Sequence, residues 1–131
     1  VAPAGLPGPT LYYTGMGILD FFKGPKVVQV SMDEFAELHG AGCLVVDVRE
    51  AHEYTRGHVP GARSMPLSQL AHRAHELPKD TTVHCICASG HRSRIAARIL
   101  GSAGYDTRSV AGGTAAWAHR KLPVVRGNKP R

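Results

Sequence analysis

The sequence predicts an α/β domain, with a mainly parallel five-stranded sheet flanked by helices on both faces. Stretches of strand length alternate with stretches of helical period, joined by short turns marked by Gly and Pro. The strongest strand signals are Cys43-Leu44-Val45-Val46-Asp47-Val48 and Thr82-Val83-His84-Cys85-Ile86-Cys87. The first is an apolar run of the kind found in strands buried on both faces. At 131 residues and 43% hydrophobic content, the chain has room for one core and no second.

The elements follow in order. Residues 1–26 read as an N-terminal extension: a lead-in with Pro3, Gly5, Pro7, Gly8 and Pro9, then an apolar arm from Leu11 to Phe22 that packs on the domain edge or meets a partner. The chain opens on Val1 rather than Met, and Met16 is a candidate for a native start. The domain proper is expected at 27–125. Val27–Val30 is a strand, and Ser31 with Glu34 forms a capping box for a helix carrying Phe35 and Leu38 and ending at Gly40. After the Cys43–Val48 strand come a short helix at Ala51–Arg56, a turn at Gly57–Ala62, a brief strand at Arg63–Met65 and a helix at Leu67–His75. Pro78-Lys79-Asp80 turns into the Thr82–Cys87 strand. The helix Arg92–Ala103 places Ile95, Ile99 and Ala103 on one stripe beside Leu100, and Gly104 stops it. A strand at Thr107–Val110, a turn at Gly112-Gly113 and a helix at Thr114–Arg120 carrying Trp117 complete the domain.

The net charge of +6 is confined to one end. Up to residue 106 ten Lys or Arg balance all ten acids; beyond it Arg108, Arg120, Lys121, Arg126, Lys129 and Arg131 meet no acid. Residues 126–131 therefore form a basic tail, which favours solubility and weak attraction to polyanions. No surface combining aromatic and basic residues accompanies it, so no specific nucleic-acid partner is expected. No apolar run approaches the about 20 residues of a transmembrane segment, and no secretory leader pattern opens the chain. Three cysteines, an odd number, do not suggest a disulfide framework; a reducing, cytoplasmic setting and a monomer or weak dimer are expected.

In parallel sheets, reactive groups gather where strand ends meet helix starts. Here those places follow Asp47 and Cys87. The loop Cys87-Ala88-Ser89-Gly90-His91-Arg92-Ser93 opens straight into a helix, so its main-chain N–H groups can turn inward as an anion-binding cup. A thiol at the bottom of such a cup, near Arg92, is favoured as thiolate. A buried structural cysteine is the competing reading, and the placement of Gly90 and Arg92 argues for the reactive one.

These residues resemble the rhodanese family, whose active loop is a Cys, a few residues including Gly, then Arg-Ser. Asp47-Val48-Arg49-Glu50 is similar to the family's first motif, and Glu53-Tyr54 with Gly57-His58-Val59-Pro60-Gly61-Ala62 to its second. Gly112-Gly113-Thr114-Ala115-Ala116-Trp117 with Leu122-Pro123-Val124 is similar to the closing one. Lys121 stands where Gly is common, which touches only a helix end. The resemblance implies sulfur transfer without a cofactor: the Cys87 thiolate takes sulfur from a small anionic donor such as thiosulfate and passes it from a persulfide to cyanide, a thiol or a protein. It implies that the amides of Ala88 to Arg92 hold the persulfide, with Ser93 beside them, and that Arg92 holds the donor's anionic end or neutralises the persulfide. A sulfur-relay or regulatory binding module with incidental turnover is the alternative. Related phosphatases place five residues between Cys and Arg; here Ala88 to His91 make four, a ring that suits one sulfur atom better than phosphate.

Asp47, Arg49, Glu53 and His58 are expected as structural support. Asp47 ties loops through backbone or Arg hydrogen bonds, Arg49 and Glu53 make an ion pair or loop clamp, and His58 orders its turn. His91 is free to tune substrate choice or lie exposed, and Arg94 and Arg98 are solvated. His84, Cys85, Cys87 and His91 have metal-ligand chemistry but lie too close in sequence for a zinc site, so no metal is expected. Cys85 points to the same side as Cys87, and Cys43 and Trp117 belong to the core.

Overall fold

The computed structural model describes residues 26–131. The Pro/Gly-rich lead-in, the apolar arm and Met16 lie outside these residues. The strands are β1 (Gln29–Val30), β2 (Leu44–Asp47), β3 (Arg63–Ser64), β4 (Val83–Ile86) and β5 (Thr107–Val110). They pair in the order β1-β5-β4-β2-β3, and every pairing is parallel. Register sets Leu44 beside Val83 and Asp47 beside Ile86, so the C-terminal ends of β2 and β4 finish side by side. That alignment brings the sequences following Asp47 and Ile86 together.

Strand alternation divides the core in two. Val46, Val48, Val83, Cys85 and Cys87 face helices α3 (Leu67–Arg73) and α4 (His91–Ser102). Val30, Val45, Ile86 and Val110 face α1 (Met32–Gly40), α2 (Ala51–Arg56) and α5 (Gly113–His119), with Phe35, Tyr54 and Trp117 filling that side. Ser31 caps α1, accepting the Glu34 N–H at 3.1 Å. Trp117 is buried and its ring N–H donates to the Pro123 carbonyl at 2.7 Å.

The buried face of α4 differs from the expected stripe. Ile95 is 41% exposed and Ala103 is exposed, while Ser93, Ala96, Ala97 and Leu100 are buried. Small residues win this face because they let the helix sit close on β4 and β5. Cys43 is half-buried at the entrance to β2 rather than deep in the core. The basic C-terminal segment is strapped down rather than loose: the Val125 N–H and carbonyl pair with His58, and the Gly127 N–H donates to the Thr55 carbonyl at 2.9 Å.

Lys121 follows α5 with φ of 59°, the left-handed region where a side chain costs energy and Gly does not. Lys121→Gly is expected to raise stability by about 1 kcal/mol, read as a shift in denaturant midpoint at constant slope.

Candidate active site

Cys87 sits one residue beyond β4, at the floor of the loop that leads into α4. Its Sγ accepts two main-chain hydrogen bonds, from the Gly90 N–H at 3.1 Å and the Ser93 N–H at 3.3 Å. Gly90 makes this turn with φ of 105°, as the residue before the helix. The loop is held from behind. α5 begins at Gly113, and its free first-turn amides reach the loop's carbonyls: Thr114 N–H to the Cys87 carbonyl at 2.8 Å and Ala115 N–H to that of Ala88 at 3.0 Å. Those bonds fix the start of the loop, whose Gly90 and Ser93 N–H groups then reach back to the sulfur.

Burial pushes the Cys87 thiol up, but the Ser93 hydroxyl and the main-chain amides of Ser93, Gly90 and Ser89 outweigh it and hold the thiol below its usual value. Ser93 is locked beneath the loop, its hydroxyl oxygen 3.1 Å from the Gly90 carbonyl and 2.8 Å from the Ser109 hydroxyl. Sequence reasoning missed Ser109, since a serine in a short strand carries no local signal. The neighbouring thiols behave oppositely. Cys85 is fully buried and pushed up to about 12 by burial and by the nearby Cys87. Burial also raises Cys43.

A pH titration of thiolate ultraviolet absorbance, taken as wild type minus Cys87→Ser, is expected to inflect below the ordinary thiol value of about 8.5. Ser93→Ala should move that inflection upward. An inflection that stays put would remove the hydroxyl from the anion's environment.

The expected support residues surround this loop, with one pairing different from expectation. Asp47 is fully buried and accepts the Arg49 main-chain N–H at 3.0 Å. Arg49 grips the same carboxylate through Nε and Nη2, at 2.8–3.1 Å, and donates to the Gly57 carbonyl at 2.8 Å. Arg49 is thus taken by Asp47, two residues away, and does not pair with Glu53. Glu53 turns instead to Arg92 and makes a parallel pair, Oε1 to Nη1 at 2.7 Å and Oε2 to Nη2 at 2.9 Å. Arg92 holds the Glu53 carboxyl down at about 2. The sulfur's hydrogen bonds therefore come from main-chain N–H groups, and the Arg92 guanidinium is held at the rim by Glu53.

His58 is buried and stacked on Tyr54 at 3.7 Å. Its ring nitrogens face the carbonyls of Tyr54 at 2.9 Å and Lys129 at 2.8 Å, so it ties the C-terminal strap as well as its own turn. Ser89, His91, Arg94 and Arg98 are exposed; Ala88, Gly90 and Arg92 are half-buried. His84 faces away from Cys87, its Nδ1 3.3 Å from the Leu44 carbonyl. Among the described residues no three His, Cys, Asp or Glu side chains are placed to share a metal. A cavity of about 470 Å³ lined by Glu34, Leu38, Cys43, His84 and Arg108 opens at the strands' other end, away from the cup.

Known proteins resemble this chain in sequence and fold. Residues 31–120 match the Rhodanese-like domain profile. A protein of Allochromatium vinosum named "Sulfurtransferase" is 39% identical over 83 residues, covering 63% of this chain and 78% of that one. YrkF of Bacillus subtilis, provisionally named a sulfur carrier protein, is 41% identical over 61 residues, which is 47% of this chain but only 33% of its own length. The crystal structure of a rhodanese-related protein from Thermoplasma volcanium superposes with a TM-score of 0.72 at 30% identity, covering 76% of this chain and 99% of that one. With the profile matched over residues 31–120, about two-thirds of its length, the chain belongs to the Rhodanese-like domain family.

Proposed function

We propose that the chain is a sulfurtransferase that carries a sulfane sulfur on Cys87. The observation that carries this reading is the convergence of the Gly90 and Ser93 N–H groups on one sulfur atom. Donors aimed at a single atom stabilise a thiolate there, and the cup's inward amides serve the charge again when it moves to the outer sulfur of the persulfide. In the first half-reaction the Cys87 thiolate attacks the outer sulfur of thiosulfate. The donor's S–S bond breaks, its electron pair leaves with sulfite, and Cys87 keeps the sulfur as a persulfide. In the second, cyanide or a thiolate attacks the terminal sulfur and returns Cys87 to thiolate. Separate halves through a covalent intermediate give ping-pong kinetics. Ala88, Ser89, Gly90 and His91 line the path to the sulfur, Ser93 supports the loop from beneath, and Arg92 lies beside the donor's anionic end.

The names of the Allochromatium and Bacillus relatives support sulfur transfer in general. The latter favours a second reading, a relay in which another protein supplies or takes the sulfur. Three free cysteines suit a reducing, cytoplasmic setting, and among the described residues no helix is long and apolar enough to cross a membrane.

Incubation with thiosulfate followed by intact-mass measurement tests the proposal. The expected result is the gain of one sulfur atom, removed again by cyanide. A mass unchanged after exposure both to thiosulfate and to a small-molecule persulfide would overturn it.

A further inference from the structure

Cys87, Arg92 and Glu53 bring three charges to the cup. Glu53 is fixed twice over: it pairs with both terminal nitrogens of Arg92, and its Oε1 accepts the Glu50 main-chain N–H at 3.0 Å at the start of α2. With its carboxyl held at about 2, it stays ionised at any working pH. Asp47 does not enter the balance, because Arg49 already matches it. The positive charge of Arg92 is therefore matched by Glu53, and a Cys87 thiolate leaves the cup and rim with one net negative charge before a donor arrives. A dianion meets twice the repulsion that a monoanion does.

We propose that Glu53 sets the charge of the donor: by pairing with Arg92 it biases the cup toward monoanionic sulfane donors, such as the persulfide of a thiol, and away from the thiosulfate dianion. The inference rests on the sulfur-transfer reading and names the donor class for it. With such a donor the Cys87 thiolate attacks the terminal sulfur of RSS⁻. That S–S bond breaks, the electron pair leaves as RS⁻, and no outside oxidant or reductant is needed. Glu53 acts here as a specificity-determining residue; it touches Arg92 rather than the sulfur.

The test is the ratio of two matched donors. Thiosulfate and methanethiosulfonate both present a terminal sulfur and release a sulfur–oxygen anion, sulfite or methanesulfinate, but differ by one charge. In Glu53→Gln, kcat/KM for thiosulfate should rise roughly fivefold and that for methanethiosulfonate roughly twofold, a gap that narrows with added salt. Glu53→Asp, which keeps the charge, should keep the wild-type ratio. Both donors are read in one preparation, so any loss of folded protein cancels from the ratio. Equal changes for the two donors in Glu53→Gln, or a ratio altered equally by Glu53→Asp, would overturn the proposal and leave sulfur transfer standing. A wild-type chain that takes sulfur from neither donor, nor from a small-molecule persulfide, would overturn the sulfur-transfer reading, and this inference with it.

Discussion

Cys87→Ser is expected to lose sulfur loading completely while keeping the fold. A hydroxyl fits the same space and accepts the same N–H groups, so stability should change by no more than about 1 kcal/mol. What disappears is the nucleophile, because two amides and a neighbouring hydroxyl cannot bring an alcohol into its ionised form near neutrality. No other thiol can stand in. Cys85 lies in β4 with its thiol pushed up to about 12, and Cys43 sits at the entrance to β2, the opposite end of the strands from the cup. Intact mass after thiosulfate treatment should show no added sulfur, and circular dichroism a melting midpoint within about 5 °C of wild type. Retained loading would assign the chemistry to another cysteine.

Gly113→Ala is expected to damage both the site and the fold. Gly113 opens α5 with φ of 58°, a conformation costly to any side chain. A Cβ there would overlap the Cys87 carbonyl oxygen and come within 2.6 Å of the Ala88 carbonyl carbon and oxygen. These are backbone atoms, with no flexible side chain to move aside. The loop would have to lift from α5, breaking the bonds from Thr114 and Ala115 that turn its carbonyls away from the sulfur. A displacement of about 1 Å in a catalytic loop lowers turnover by roughly a hundredfold. The strain and lost bonds should cost about 3 kcal/mol in denaturant unfolding. An alanine variant with wild-type loading and stability would show that the carbonyl clamp does not shape the cup.

Much of this was legible in the sequence. The alternation of strands and helices, the cup between Cys87 and Ser93 and the flanking motifs can all be read because each is a short run of neighbouring residues with a local physical meaning. The pairings between runs are not readable in that way. Nothing near Arg49 says that it will take Asp47 and leave Glu53 to Arg92, a partner 39 positions away. The α4 stripe misleads because isoleucines at helical spacing look like a core face, whereas close packing on the sheet demanded Ala96 and Ala97. Gly112-Gly113 reads as a turn, and only the fold shows that the second glycine lies against the reactive loop.

The depth of the sulfur has a last consequence. Cys87 is 1% exposed, so whatever reacts with it must reach inward with its own end. A sulfur bonded on one side only can do this. One flanked by carbon-bearing groups on both sides, as in a dialkyl disulfide, meets the loop wall first. On the proposed function, the thiolate is thereby kept from exchange with dialkyl disulfides, which would cap it and release a thiolate, and stays free for one-atom cargo. Selection by shape at the entrance protects the same group that the main chain activates.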